Sequence, residues 1–484
     1  MLLKFIVFIT GAAVMVLEIT GARVLAPYLG TSIIVWTSLL GVVMASLSVG
    51  YYLGGKLADK KPDYKTLSLI ILLSGIAVGA AAALKSVILF FIQSQVPDLR
   101  WASLVGAFIL FAPANILLGA VSPYSVRLQF SDPKQVGSTV GNLYAVSTVG
   151  SIAGTYLTGF VLISYFGNTN LLFSLASLLV FLSVLVYPLK IKTKCASILV
   201  FSLATLINSE LRLKLAEVGF LGVDTKYNRA WVMDSLDPVT GRPIRVLSTG
   251  AHYVQSAMFL DGDDLAVEYT KFFNLADYYN KNIKKALMIG GGAYSYPKDF
   301  LANHNGAEID VVEIDPGLTE LAKKYFNLSD SQRLRIFHQD GRAFLNTTNN
   351  KYDAIFIDAF ASSIPFHLTT KEFVAKVFGL LNNGGVVAMN IIASIEGDTG
   401  KFTRAEYATY KLFSDYVYLF PVQYPKNGNK IQNIILVAVK SKVNLSSKTF
   451  PVNLWTSEVK EDVPVLTDDF APVDQYLAVF RYDF

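Results

Sequence analysis

Apolar positions change their spacing near the middle of the chain, and that change divides it. From residue 1 to about 188 they come in long runs, near 2–22, 32–55, 67–91, 101–121, 139–163 and 168–188. Each is close to the ~20 residues a helix needs to cross a bilayer core, so six spans are predicted. After Glu217 the runs shorten to about four to eight residues and alternate with turns and amphipathic stretches. The first run is not read as a secretory signal. No cleavage site ends it, Glu18 interrupts it, and further runs follow.

Charge between the runs orients them. Lys56, Lys60, Lys61 and Lys65 fall in one loop, Arg127 and Lys134 in another, and Lys190, Lys192 and Lys194 in a third. These are alternate loops, on the side of Lys4, whereas the opposite loops hold little beyond Arg23 and Arg100. The amino terminus is therefore predicted to be cytoplasmic. Gly50/Gly54, Gly75/Gly79 and Gly150/Gly154 recur at a spacing that lets helix backbones approach closely, so a packed bundle is expected. Glu18, inside the first span, fits either a pairing role within the bundle or a part in transport. Residues 195–208 (CASILVFSLATLIN) are short for a span and suit an interfacial helix. If they cross, the remainder lies outside the cell; a nucleoside ligand favours the cytoplasm.

In the second half, TKYNRAWVMDSL, the turn DPVTGRP, IRVLSTG and YVQSAMFL predict short strands, followed by an amphipathic helix over 265–281. Strands are then predicted at Ala286–Ile289, Ile309–Val312, Leu334–Phe337, Tyr352–Ile357, Val386–Ile391, 417–423 and 432–439. Helices lie between most of them, with Thr369 and Glu372 forming a capping box for one. That alternation implies a doubly wound parallel sheet with ligands at the carboxyl ends of its strands. The expected organisation is a helical bundle over 1–194, an apolar segment or seventh span over 195–216, a small β-unit over 217–262 and a nucleoside-binding α/β domain over 263–484.

Composition agrees with a membrane chain: 52% of residues are hydrophobic and 16% charged. The single cysteine, Cys195, excludes an intramolecular disulfide, and four scattered histidines show no ligand spacing, so no protein-bound metal is expected. A net charge of +5, spread along the chain, makes nucleic acid a poor partner.

The candidate chemistry gathers at strand ends. Gly290, Gly291 and Gly292 follow the first strand of the α/β domain, and Glu313 ends the next, roughly 20 residues on, where a carboxylate can bind ribose hydroxyls. Ser295 stands where a dinucleotide fingerprint wants its third glycine, which argues against a pyrophosphate. Asp340-Gly341 and Asp358 end the following two strands, so four strands deliver polar groups to one crevice.

These segments resemble the spermidine synthase family within the class I methyltransferase fold, and more closely its branch with a multi-span region ahead of the synthase-like domain. GGG (290–292), VVEIDP (311–316), QDGRAFL (339–345), YDAIFIDAF (352–360) and LTDDFAPVD (466–474) carry the likeness, with RVLAPYLG (23–30) and GYYLGGKLAD (50–59) in the membrane half. The resemblance implies Glu313 on the ribose, Asp340 on the adenine amino group, Gly290–Gly292 and Gly341 beneath the nucleoside, Gln255 on the co-substrate and Asp358 as the catalytic aspartate. It implies transfer of an aminopropyl group from decarboxylated S-adenosylmethionine to a small-molecule amine acceptor, with the lipid bilayer as a further partner and homodimerisation left open.

Three departures separate the chain from that pattern. Ala293 stands where the family has an aspartate for the aminopropyl ammonium. Asp358 is followed by Ala359, Phe360 and Ala361 rather than by a second aspartate and proline. The histidine–glutamate pair ahead of the first strand is replaced near Tyr269-Thr270. Asp468, Asp469 and Asp474 fit either replacement carboxylates or a surface turn, and Tyr227 and Tyr253 are candidates for an amine pocket. Two other functions remain in view: a methyltransferase using S-adenosylmethionine, and a non-catalytic membrane sensor or transporter that binds a nucleoside.

Overall fold

The computed structural model describes residues 1–130, 136–163, 166–188, 199, 201, 203, 206, 219–250, 254–359, 364–441 and 453–477. It divides into two compact units, Met1–Val218 and Gly219–Phe484.

The first unit holds α1 (Leu2–Leu29), α2 (Ile33–Lys60), α3 (Tyr64–Gln95), α4 (Leu99–Gln129), α5 (Val136–Tyr156, continued by a π-helix Leu157–Leu162) and α6 (Asn168–Val186). Six helices in the described residues are long and apolar enough to cross a membrane. The first four, at 28, 28, 32 and 31 residues, outrun the apolar stretches that predict them. At 1.5 Å per residue they exceed a ~30 Å hydrocarbon core, so their ends carry the polar loop residues. Asp63 caps α3 by accepting from the Thr66 N–H, and Asp98 caps α4 through the N–H groups of Arg100 and Trp101.

The glycine pairs act as the spacing suggests. A Cβ at Gly50 or Gly54 would run into the α4 backbone at Ile116 and Ala120, and one at Gly150 or Gly154 into the α1 backbone at Phe8 and Ala12. Gly75 lies against Ala176 and Val180 of α6, and Gly79 against the Phe201 ring. Of segment 195–208 only Leu199, Phe201, Leu203 and Leu206 are described, as helical; whether the segment spans lies outside the described residues.

The second unit opens with a four-stranded antiparallel meander: β1 (Phe220–Asp224), β2 (Arg229–Leu236), β3 (Pro243–Ser248) and β4 (Ser256–Phe259). The expected helix over 265–281 is instead broken into Glu268–Lys271, a 3-10 turn Phe272–Asn274, and Leu275–Tyr279.

Seven strands follow, β5 (Lys285–Ile289), β6 (Glu308–Val312), β7 (Leu334–Phe337), β8 (Tyr352–Ile357), β9 (Leu381–Ala393), β10 (Tyr416–Pro421) and β11 (Gln432–Val439), in the order β10-β11-β9-β8-β5-β6-β7. The sheet is mixed rather than parallel, because β11 pairs antiparallel with both neighbours. No helix separates β10 from β11, and without a crossover the chain turns straight back. β9 begins earlier than expected, at Leu381, and a register shift opposite Tyr352 and Ala354 absorbs the Asn-Asn-Gly-Gly stretch, with Gly384 at φ 74°.

The capping box is displaced by one residue. Thr370 caps the helix Lys371–Leu380 through the Phe373 N–H, while Glu372 accepts from the N–H of Asp468. Chain order starts at β5, builds outward through β6 and β7, then crosses to β8 and β9. The reversal between β5 and β8 leaves a crevice at the strands' carboxyl ends.

Candidate active site

The floor of that crevice is main chain. At the end of β5 Gly290 has φ 94° and Gly292 φ 52°, both in the region that favours glycine. A Cβ on Gly290 would strike the Asp358 carbonyl, so the missing side chain lets the ends of β5 and β8 meet. The Asp358 N–H donates to the Ile289 carbonyl at 2.8 Å, and the Gly290 N–H to Val312 at 2.9 Å. Gly341 serves a similar purpose, since a Cβ there would meet Ile289 at 2.6 Å.

Glu313 is fastened to this floor. Its Oε2 accepts the N–H groups of Gly291 (2.8 Å) and Gly292 (3.1 Å), and its Oε1 that of Asp315 (2.9 Å). Burial pushes its pKa above the ordinary carboxylate value, and the three N–H groups pull it back only in part. Asp340 caps the helix Gly341–Thr347, with Oδ1 accepting from Ala343 at 2.9 Å and Oδ2 lying 2.9 Å from His367 Nε2. Partial burial raises its pKa, but the Ala343 N–H and the His367 ring outweigh that and hold it low.

Asp358, half-buried just beyond β8, is held by side chains. Tyr269 donates its hydroxyl to Oδ2 at 2.9 Å, and Asn390 of β9 donates Nδ2 to Oδ1 at 3.0 Å. Asn390 is itself held by Asn433 of β11, whose Nδ2 donates to the Asn390 Oδ1 at 3.0 Å. Burial pushes the Asp358 pKa up, and the two hydrogen bonds oppose the rise without cancelling it. The Tyr269 hydroxyl also lies 3.4 Å from the Gln255 carbonyl, which brings Gln255 to the Asp358 side. The Gln255 Oε1 is buried and, among the described residues, has no hydrogen-bond partner.

Gly290, Gly291, Gly292, Glu313, Asp340, Gly341 and Asp358 thus follow the ends of adjacent strands, and Gln255, just ahead of β4, approaches Asp358 through Tyr269. Ala293 is not part of the crevice lining: its methyl group is wholly buried in an apolar cluster with Ala230, Val232, Leu247, Leu318 and Phe326. Asp468 is not a free carboxylate either. Arg342 engages both its oxygens, and the Thr370 hydroxyl donates to one. Phe360, Ala361 and Tyr253 lie outside the described residues.

Sequence reasoning passes over Tyr269, Asn390 and His367. Asn390 carries a signal in hindsight, as the one polar residue in the run VVAMNII. Tyr269 sits where the family pattern departs, and nothing near His367 marks it.

Residues 267–447 match the spermine/spermidine synthase domain. A polyamine aminopropyltransferase of Vibrio vulnificus is 27% identical over 245 residues, covering 46% of this chain and 80% of that protein. A probable polyamine aminopropyl transferase of Bifidobacterium longum is 32% identical over 155 residues, 31% of this chain and 34% of its own length. Among solved structures, a probable spermidine synthase from Corynebacterium glutamicum covers 47% of this chain and 82% of its own, with 21% identity and a TM-score of 0.41. Residues 267–447 are thus similar to a spermine/spermidine synthase domain, in a chain whose described residues also include six helices long and apolar enough to cross a membrane.

Proposed function

We propose that the chain is a membrane-bound transferase that moves an aminopropyl group from decarboxylated S-adenosylmethionine to a small amine. The observation that carries this reading is Asp358, fixed between Tyr269 and Asn390 at the β5–β8 switch point beside the glycine floor. A carboxylate held there on both oxygens, with its pKa raised by burial, suits a proton acceptor for an attacking amine. The amine nitrogen forms a bond to the carbon next to the sulfonium. The carbon–sulfur bond breaks with its electron pair going to sulfur, and the proton released from nitrogen goes to Asp358. Sulfur leaves as a neutral thioether, so the leaving group needs no further activation.

The nucleoside side fits the co-substrate. A carboxylate offers about four lone-pair positions, and the loop N–H groups occupy three of those on Glu313. One ribose hydroxyl can join without disturbing the loop; a second requires one glycine N–H to let go. Asp340 and Gly341 would take the adenine edge. With Ala293 turned into the core, the unpaired Gln255 Oε1 is the acceptor we assign to the aminopropyl ammonium. The acceptor's own amine would lie against Asp358.

The full chain in detergent, supplied with decarboxylated S-adenosylmethionine and a panel of di- and triamines, should yield methylthioadenosine and an extended amine. Methylthioadenosine formation that does not depend on the amine, or methyl transfer from S-adenosylmethionine, would overturn the reading. We also assign the second unit to the cytoplasm, because segment 195–208 is short for a span and a nucleoside co-substrate is cytosolic. A reporter fused after Phe484 that is active only outside the cell would reverse that.

A further inference from the structure

Asp358 stands at the end of a row of three side-chain amides. Asn390 donates Nδ2 to its Oδ1 at 3.0 Å, Asn433 donates Nδ2 to the Asn390 Oδ1 at 3.0 Å, and Gln423 donates Nε2 to the Asn433 Oδ1 at 3.1 Å. The sheet builds the row. Asn433 of β11 pairs with Ile392 of β9, so Asn390, two residues along, is its diagonal neighbour on the same face. The Val422 N–H donates to the Asn433 carbonyl at 2.9 Å, which brings Gln423, just past β10, alongside. The row runs from the surface inward: Gln423 is exposed, Asn433 half-buried and Asn390 buried.

An amide has nearly the same shape either way round, so its neighbours decide which end points where. Here one neighbour cannot be reversed. The Asn433 main-chain N–H is a donor in any state, and it meets the Gln423 Oε1 at 3.0 Å. With Oε1 so committed, Gln423 turns Nε2 to Asn433, Asn433 turns Nδ2 to Asn390, and Asn390 turns Nδ2 to Asp358. The three amides point the same way, and each bond polarises the next. Reversed, the row would present the Asn390 oxygen to Asp358, and an amide oxygen accepts only from the protonated acid. Tyr269, on the other Asp358 oxygen, stays un-ionised because burial pushes its hydroxyl pKa up. Burial and these two bonds set the protonation of Asp358, and no charged side chain among the described residues takes part.

We propose that Gln423 and Asn433 are positioning residues for the transfer: they fix the sense of the Asn390 amide, so that Asp358 faces a donor. The inference rests on the reading of Asp358 as the proton acceptor. A carboxylate that faces an N–H stays ionised and can take the proton of the attacking amine. Facing an oxygen, it would be held as the acid and could not. An exposed residue beyond the end of β10 thereby acts on the chemistry through two intervening amides.

Gln423→Glu tests it, because a carboxylate still accepts the Asn433 N–H but has no N–H for the Asn433 Oδ1. The Asn433 amide then turns Nδ2 outward, and Asn390 turns over in response. Infrared difference spectra of the full chain in detergent, taken across pH, read the carboxyl band that Asp358→Asn removes. The pH midpoint of that band should rise by about one unit in Gln423→Glu, the worth of one hydrogen bond to a charged group. It should rise less in Gln423→Leu, where water can donate to Asn433. In an Asn390→Leu background Gln423→Glu should add nothing, since no amide is left to turn; should that protein not fold, Asn433→Leu cuts the row instead. An unchanged midpoint in Gln423→Glu overturns the proposal. So does an equal rise in the cut background, which would mark the effect as one of charge alone. If the midpoint rises but the acid limb of aminopropyl transfer stays in place, or no transfer occurs, the reading of Asp358 as proton acceptor fails while the fixed amide sense stands.

Discussion

The two sides of the crevice in the second unit are built differently. On the nucleoside side, Glu313 and Asp340 are held chiefly by backbone N–H groups of the glycine turn and of a helix start. On the amine side, Asp358 is held by Tyr269 and Asn390, and Asn390 by Asn433. Those side chains come from separate segments of the chain. Main-chain donors stay in place as long as the glycine turn and the helix start keep their conformation, so the first side depends on few neighbouring polar side chains. The second depends on a relay of side chains, each of which can be lost singly.

The largest effect is expected where chemistry and relay meet. Asp358→Asn keeps size and hydrogen-bond reach but cannot accept a proton, and turnover should fall by about 10²–10⁴ with nucleoside affinity nearly unchanged. Full activity in this variant at neutral pH would remove Asp358 from the mechanism. Glu313→Ala comes next. Losing a charged partner for a ribose hydroxyl should cost about 2–4 kcal/mol, or roughly 30- to 1000-fold in nucleoside affinity. Binding within threefold of wild type, measured by calorimetry, would move the nucleoside elsewhere.

The same contrast explains what the sequence discloses. Glycines after a strand and an acid at the next strand's end are local features, so Gly290–Gly292, Glu313 and Asp340 are legible from spacing. The Asp358 relay is not. Residues 269, 358, 390 and 433 are brought together by the strand order β11-β9-β8 and by a broken helix that periodicity reads as continuous. Ala293 shows another limit of reading by type. Its identity suggests a lost ligand in the crevice, yet its methyl group belongs to the packing of the β-unit against the α/β domain. The membrane half is legible as spans because apolar length is sufficient evidence there, but the helix ends, set by Asp63 and Asp98, overrun the apolar windows.

Smaller effects sharpen the comparison. Asn390→Leu or Tyr269→Phe removes one hydrogen bond to the Asp358 carboxylate, and each should lower turnover by about 10- to 100-fold, on a contribution of about 1.5–3 kcal/mol for a bond to a charged group. These variants have a pH signature that a purely structural role would not give. Burial holds the Asp358 pKa above the ordinary 3.8, and both bonds lower it. Turnover is therefore lost as pH falls through that raised value, and removing either bond should move the acid limb to higher pH. An acid limb that stays in place while the rate drops would make Tyr269 and Asn390 packing residues only.

The smallest effect belongs to the nucleoside side. His367 contacts Asp340 at 2.9 Å, but both side chains are about one-third exposed (36% and 35%), so solvent screens the pair. The other Asp340 oxygen is held by the Ala343 N–H, which substitution at residue 367 does not touch. His367→Ala should therefore change nucleoside affinity by less than about fivefold, within the ~1 kcal/mol that exposed pairs contribute. Asp340→Ala, which removes the helix cap as well as the adenine contact, should cost more. A loss in His367→Ala as large as that in Asn390→Leu would show that the nucleoside side also rests on a side-chain relay, and the distinction between the two sides would fail.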